Sequence, residues 1–247
     1  MGCRLRTGGV GALFRFARPA WLALLLIANS AATDPSLRIP EEGEALLETP
    51  VFSYRKGSRE VTLVGTVHIA DRAYYQDIQK RLTAYEAVLF EMVGGEDPAV
   101  RKSPPNSFAS HARALGLFPQ AVVMDYTREN FVPADVSRVA YTGETSGTGP
   151  VPDLALIAEA LAAGDTTTAK RTYAKALASP TIPAGDPHLI KKRNAHCLAV
   201  LEKTDSNKIA ILYGTAHLPG LAEALRSQGY NLIKASRLVA WRGKNGS

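Results

Sequence analysis

The chain has 247 residues, 46% hydrophobic and 21% charged, a composition that fits one globular domain and excludes a disordered or collagen-like chain. Its formal charge of +6 is a poor sign of a nucleic-acid surface. Arg4, Arg6, Arg15 and Arg18 precede the first acidic residue, Asp34, and setting those four of the 29 basic residues aside leaves 25 against 23 acidic ones. No basic stripe with interleaved aromatics runs through the body, so nucleic acid is not an expected partner.

The basic start leads into Trp21-Leu22-Ala23-Leu24-Leu25-Leu26-Ile27-Ala28, then the small residues Ser30-Ala31-Ala32 and the polar Thr33-Asp34. That order is the pattern of a secretory signal peptide over residues 1–32. The apolar run is short for a membrane-spanning helix. The expected location is therefore extracytoplasmic, periplasmic or secreted. The alternative is a chain anchored by an uncleaved leader, the only membrane contact foreseen. Cys3 lies in the leader, so an exported product keeps Cys197 alone and forms no internal disulfide. Cys197 sits in an apolar helical stretch and reads as a small buried hydrophobe.

Residues 33–50 are acidic and broken by prolines, and read as a linker to a domain over 51–241. Val51–Tyr54 and Glu60–Val64 flank Lys56-Gly57-Ser58, the pattern of a hairpin. Tyr75, Ile78, Leu82 and Tyr85 recur at helical spacing, which predicts a helix over Arg72–Glu86. Ala87–Met92 reads as a buried strand. Phe108–Leu117 reads as a helix and Val122–Tyr126 as a short strand. Residues 142–152 hold three glycines and two prolines and read as a loop. Helices are expected over Pro152–Ala163, Asp165–Leu177 and Pro187–Lys203, with Asp165 and Asp186 as caps. Lys208–Tyr213 is a strand, Leu218–Gln228 a helix closed by Gly229, and Tyr230–Lys234 the start of another strand. Residues 242–247 read as a frayed tail. The fold class expected is α/β: a mixed sheet with flanking helices, built from two related strand–GTxH–helix–strand halves.

The repeated element carries the chemistry. Gly65-Thr66-Val67-His68 and Gly214-Thr215-Ala216-His217 both end a buried strand and open onto a helix. In open α/β sheets ligands bind at the carboxyl ends of strands. G-x-x-H is expected about 0.4 times by chance in a chain of this composition and occurs three times. The third case, Gly185-Asp186-Pro187-His188, follows no strand and reads as a turn into a helix. Glu91 also ends a buried strand, where an acid needs a partner or a metal. His68, Glu91 and His217 would give two imidazoles and a carboxylate, a common ligand set for a catalytic divalent metal. Arg193 could bind a carboxylate or oxyanion and Asn194 could donate a hydrogen bond. Asp125, Tyr126 and Asp135 read as capping and turn residues, and His111 and His196 as structural or surface histidines.

Together, Val64-Gly65-Thr66-Val67-His68, Leu89-Phe90-Glu91-Met92, Arg193-Asn194 and Tyr213-Gly214-Thr215-Ala216-His217 resemble the TraB/GumN-like family, grouped with the PrgY proteins and the TIKI metalloproteases. Met124-Asp125-Tyr126 through Ala134-Asp135 is similar to that family's middle motif. The resemblance spans roughly residues 51–240. It implies two related α/β halves and a metal-dependent hydrolase activity, peptide-bond cleavage in the TIKI branch. By motif position it implies His68, Glu91 and His217 at a divalent metal ion of unspecified identity, with Arg193 and Asn194 on the side of a small peptide or amide substrate. Residues 94–118 and 141–185 depart from the family's pattern. Two other readings stand beside this one. The first is a non-catalytic protein that binds a peptide, iron or haem, as the related ChaN-type proteins are thought to do. The second is a metal-free hydrolase using His68 or His217 with Glu91 as acid–base groups.

Overall fold

A computed structural model describes residues 34–141, 153–179 and 187–243, all within one compact unit, Thr33–Ser247. In chain order the strands and helices are β1 (Ala45–Lys56), β2 (Arg59–Thr66), β3 (Ile69–Ala70), α1 (Arg72–Leu82), β4 (Ala87–Phe90), α2 (Pro98–Lys102), α3 (Ala109–Ala114), β5 (Phe118–Pro119), α4 (Gln120–Val123), β6 (Phe131–Pro133), α5 (Arg138–Tyr141), α6 (Leu154–Ala162), α7 (Thr166–Leu177), α8 (Pro187–Lys203), β7 (Lys208–Gly214), α9 (Leu218–Ser227) and β8 (Asn231–Arg242). A single 3₁₀ turn, Thr215–His217, joins β7 to α9.

Six strands form one mixed sheet in the order β6-β4-β7-β2-β1-β8. β6, β4, β7 and β2 run parallel, while β1 is antiparallel to both β2 and β8. The expected α/β fold with a mixed sheet and flanking helices is therefore the observed one. The parallel strands are apolar on both faces because each face carries helices. In β7, Ala210 and Leu212 enter the core that holds Tyr75, Ile78 and Leu82 of α1. Ile209, Ile211 and Tyr213 enter the core that holds Cys197 and Leu201 of α8 and Leu218, Leu221 and Leu225 of α9. That alternation is the period-two geometry of a strand.

The two cores explain where a ligand would sit. β2 leads into α1 on one face, and its neighbour β7 leads into α9 on the other. Adjacent parallel strands whose connections leave on opposite faces open a crevice at their carboxyl ends. Gly65 pairs with Tyr213 and Thr66 with Gly214, so the two GTxH motifs lie side by side, one residue out of step. Phe90 pairs with Leu212 and with Pro133, which brings Glu91 and the residues after β6 to the same rim.

Several boundaries differ from expectation. The segment 33–50 is not wholly a linker: β1 begins at Ala45, and Leu46, Leu47 and Thr49 are buried because β8 pairs along it. The tail also starts later than 242. Arg242 ends β8, and Gly243 N–H donates to Glu44 O at 2.8 Å. Val122–Tyr126 is not a strand: Gln120–Val123 is one helical turn, and Met124 to Tyr126 continue without regular structure. α1 stops at Leu82, where Thr83 caps the Lys80 carbonyl, and α3 is shorter than Phe108–Leu117. Asp165 caps α7, Cys197 is buried, and Gly229 at φ 86° closes α9, all as expected. The leader, the 142–152 loop and Asp186 lie outside the described residues. Among the described residues no helix is long and apolar enough to cross a membrane.

Candidate active site at the strand rim

Glu91 follows β4 directly, and its carboxylate is held from two sides. Oε2 accepts from Gly214 N–H at 2.5 Å, and Oε1 lies 2.8 Å from an Arg193 guanidinium nitrogen. The approach is close: a Cβ at position 214 would stand 3.1 Å from Glu91 Oε2. Burial pushes the Glu91 carboxyl up. The neighbouring His217, Arg193 and His68 and the Gly214 amide outweigh that and hold it at about 2. The side chain is 15% exposed, so this is an ionised carboxylate at the edge of a core.

Arg193 comes from α8, whose buried residues Leu189, Asn194, Cys197 and Leu201 fall on one side of the helix, with Arg193 at the edge of that stripe. Its side chain is 14% exposed. Nε donates to Asp135 Oδ1 at 2.8 Å, and a terminal nitrogen bonds Asp135 Oδ2 as well as facing Glu91. The flanking Lys191 and Lys192 are exposed. Arg193 thus points into the molecule, bracing the carboxylates beside the cleft. Burial works against its charge, and the Asp135 hydrogen bonds and the nearby Glu91 raise its pKa all the same.

His217 is buried, and Asn194 sets its protonation pattern. Asn194 Nδ2 donates to the His217 carbonyl at 3.1 Å, and Asn194 Oδ1 lies 2.6 Å from His217 Nδ1. Because Nδ2 is committed to a carbonyl, Oδ1 must be the acceptor, so Nδ1 carries the proton. The Nε2 lone pair is then free, 3.6 Å from Glu91 Oε1. A partner on one ring nitrogen that fixes the other for work is the usual arrangement for a ligating or basic histidine. Burial pushes the His217 pKa down; Glu91 opposes that, and Arg193 adds to it. Gly220 lets Asn194 approach, since a Cβ there would lie 2.7 Å from Asn194 Nδ2. The expectation that Asn194 faces substrate is corrected: both ends of its amide are used by His217.

His68 is placed differently. It is exposed, and its ring stacks on Phe108 with centroids 4.6 Å apart and planes 10° apart. Its carbonyl accepts from Gln120 N–H at 2.8 Å. The backbone behind it is clamped by the end of β8: Trp241 Nε1 donates to Ile69 O, and Asp71 N–H donates to Ala240 O. The small β3–β5 ladder folds the 104–121 segment over the rim. Together these form a cleft of about 400 Å³ lined by Glu91, Arg193 and the imidazole of His68, with walls from Pro104, Pro105, Phe108, Pro119, Tyr126 and Tyr141. A volume near this suits a small ligand. A larger cavity of about 680 Å³ lies between α8 and α9, but its lining is mostly apolar and it reaches the rim only through Asn194 and Ala216.

The structure therefore brings Glu91, His217, Arg193 and Asn194 into one network, with His68 at the mouth of the same cleft. It does not gather His68, Glu91 and His217 into a ligand triad. Among the described residues, no three His, Cys, Asp or Glu side chains stand close enough to hold a metal. His217 Nε2 stands 3.6 Å from Glu91 Oε1, an oxygen that already faces Arg193 at 2.8 Å, and His217 is not among the residues that line the cleft. Asp135 is a correction too. It is a fully buried ion-pair partner rather than a turn residue. The clue was present, an acid directly after an apolar stretch as at Glu91, but Phe131-Val132-Pro133 is too short and too proline-marked to announce a strand. Asp125 is the turn residue expected, accepting from Thr127. Tyr126 is buried and lines the cleft. His111 and His196 are exposed. Pro187 and His188 open α8.

Comparison with protein-family models, with curated proteins and with solved structures finds no match.

Proposed function

We propose that the rim cleft is the active site of a metal-dependent hydrolase that cleaves a small peptide or amide outside the cytoplasm. The observation that supports it most is the Glu91–His217 pair. An ionised carboxylate and an imidazole with a fixed tautomer lie 3.6 Å apart beside a cleft at a topological switch point. A divalent ion held by His217 Nε2 and Glu91 would supply a water of lowered pKa and a polarised carbonyl.

The chain's own residues do the rest. Arg193 and the Gly214 amide hold the Glu91 carboxylate in place and ionised. Asn194 keeps the proton on His217 Nδ1, so Nε2 stays a lone-pair donor. The proline and aromatic walls exclude water from the bound amide. His68, exposed at the mouth, is the group free to carry a proton to a leaving amine. The TraB/GumN-like resemblance and the export signal belong to the same proposal and rest on the motifs quoted above.

A metal-free version is favoured by one observation: Arg193 already gives Glu91 a cation at 2.8 Å. In that version Glu91 and His217 act as acid–base groups. A library of short peptides, read by mass spectrometry, tests both. Cleavage by the wild type that is lost in Glu91→Gln and on addition of a strong chelator supports the metal-dependent reading. Cleavage that survives the chelator supports the metal-free one. A Glu91→Gln variant as active as the wild type would overturn both.

A further inference from the structure

We propose that a pocket on the α1 face of the sheet, away from the rim, binds a small organic acid, an anionic head on a compact apolar body. This site lies toward the amino ends of β2 and β7, whereas the cleft lies at their carboxyl ends, and it does not depend on the hydrolase reading.

Strand register builds the floor. Directly opposed residues put their side chains on the same face of a sheet, so Thr62 of β2, Ser53 of β1 and Lys234 of β8 stand in one row. Val64, Val51 and Ser236 make the next row toward the rim. That face otherwise carries apolar side chains such as Val64, Ala210 and Leu212 into the core beneath α1, and the buried hydroxyls of Ser53 and Thr62 break the pattern. α1 ends at Leu82. Beside that end a cavity of about 250 Å³ stays open over both rows, walled by Ile78, Leu82, Tyr85 and Leu238.

The charged lining is all of one sign: Arg81, Lys208 and Lys234 face the cavity and no acid does. Arg81 gives Nε to Asp77 at 2.8 Å, which leaves its terminal nitrogens. Lys208 stands over the Tyr85 ring, 5.5 Å from its centroid. Among the described residues neither Lys208 nor Lys234 is in an ion pair. Glu86, next to Tyr85 in the chain, spends Oε2 on the Asn207 and Lys208 amides. The floor adds a donor. Ser53 Oγ and Thr62 Oγ1 lie 2.9 Å apart, a bond that uses one of their two hydroxyl hydrogens. The other hydrogen has no acceptor among the described residues, at side chains 8% and 1% exposed. A buried donor without an acceptor is costly, and an anionic oxygen over the Thr62–Ser53–Lys234 row would meet it and the ammonium together. The body of the ligand then lies over Val64 and Val51 against Leu82 and Tyr85. The volume is below the usual range for drug-sized ligands, which limits that body to about one ring.

Amide spectra of the full chain titrated with benzoate and with phenyl phosphate test this. Benzamide, which lacks the charge, and inorganic phosphate, which lacks the ring, are the controls. The expected result is that at least one ring-bearing anion moves the amides of Ser53, Thr62 and Lys234 at millimolar concentration, with both controls at least about tenfold weaker, the scale of a hydrogen bond to a charged group. The tighter of the two anions then names the head as carboxylate or phosphate monoester. Lys234 is exposed, so Lys234→Glu spares the fold and should weaken the anion about tenfold. Ser53→Ala with Thr62→Val removes both hydroxyls and should weaken it about threefold, as for a neutral donor. No movement of these amides with either anion overturns the proposal. So does a control that binds as tightly as the ring-bearing anions, or either variant binding as tightly as the wild type.

Discussion

His68 and His217 end the same four-residue motif, stand on neighbouring strands and share almost nothing else. His217 is buried, bonded through Nδ1 and 3.6 Å from a carboxylate. His68 is exposed and stacked on Phe108. The motif fixes the end of the strand, a glycine in its last residues and a histidine just beyond it. The environment comes from elsewhere. α8 supplies Asn194 to one histidine, and the 104–121 segment supplies Phe108 to the other. Even the exits differ, since Thr215–His217 runs straight into α9 whereas His68 is followed by β3 before α1 begins. Equal motifs therefore do not imply equal roles. His217 is held through Nδ1 by Asn194, and His68 is the accessible group at the mouth.

The largest expected effect comes from the carboxylate that only one of the two histidines meets. Glu91→Gln keeps the shape, removes the charge and should lower peptide turnover by about 10²–10⁴-fold. It should also cost about 2 kcal/mol in urea unfolding, as hydrogen bonds to a charged group are lost. Breaking the asymmetry from the other side, Asn194→Ala frees the His217 ring. Turnover should fall about 10–100-fold with a stability loss near 1 kcal/mol. Equal activity in Asn194→Ala would mean that the tautomer does not matter.

Acid should distinguish the two histidines' neighbourhoods as well. The folded pKa of Glu91 lies near 2, below its ordinary 4.5, so its stabilising contribution is complete above pH 4.5 and drains away as pH falls toward 2. His217 is also shifted down, so the folded state favours its neutral form. Its contribution is complete above its ordinary value of 6.5 and is lost as pH falls from there. Unfolding free energy measured from pH 7 to 2.5 should fall throughout. Glu91→Gln should flatten the part below 4.5, and a wild-type slope retained in that variant would contradict the assignment. The smallest effect is on stability at the exposed histidine. His68→Ala should change unfolding free energy by no more than about 0.5 kcal/mol, as at most surface positions, whereas His217→Ala should cost about 2 kcal/mol for its lost buried contacts and hydrogen bond.

The parallel strands β2, β4 and β7 are legible because runs such as Ile209–Tyr213 are apolar without alternation, and α8 and α9 because their stripes and the closing Gly229 are strong local signals. β1 was read too short. Leu46 and Leu47 sit between an acidic stretch and Pro50, and only long-range pairing with β8 makes that segment a strand. Val122–Tyr126 is β-branched and apolar, but Gln120 and Met124 close a helical turn there, a tertiary outcome that propensity does not carry. At the rim, Glu91 and the two histidines stand out in the sequence because ligands bind at strand ends in such sheets. Arg193 and Asn194 sit beside two lysines, and only the fold shows that they face inward, Arg193 onto Glu91 and Asp135 and Asn194 onto His217. Asp135 was passed over because three residues ending in proline gave no sign of the strand that delivers it.

The proposed site depends on His217 offering a bare Nε2 to a cation. Nitrogen-15 correlation spectra of the imidazoles at pH 7, recorded before and after one equivalent of Zn²⁺, read this directly. The expected result is an Nδ1-protonated His217 whose Nε2 resonance moves on addition of metal and does so no longer in Glu91→Gln. A His217 protonated on Nε2, or one whose resonances ignore Zn²⁺, would contradict it.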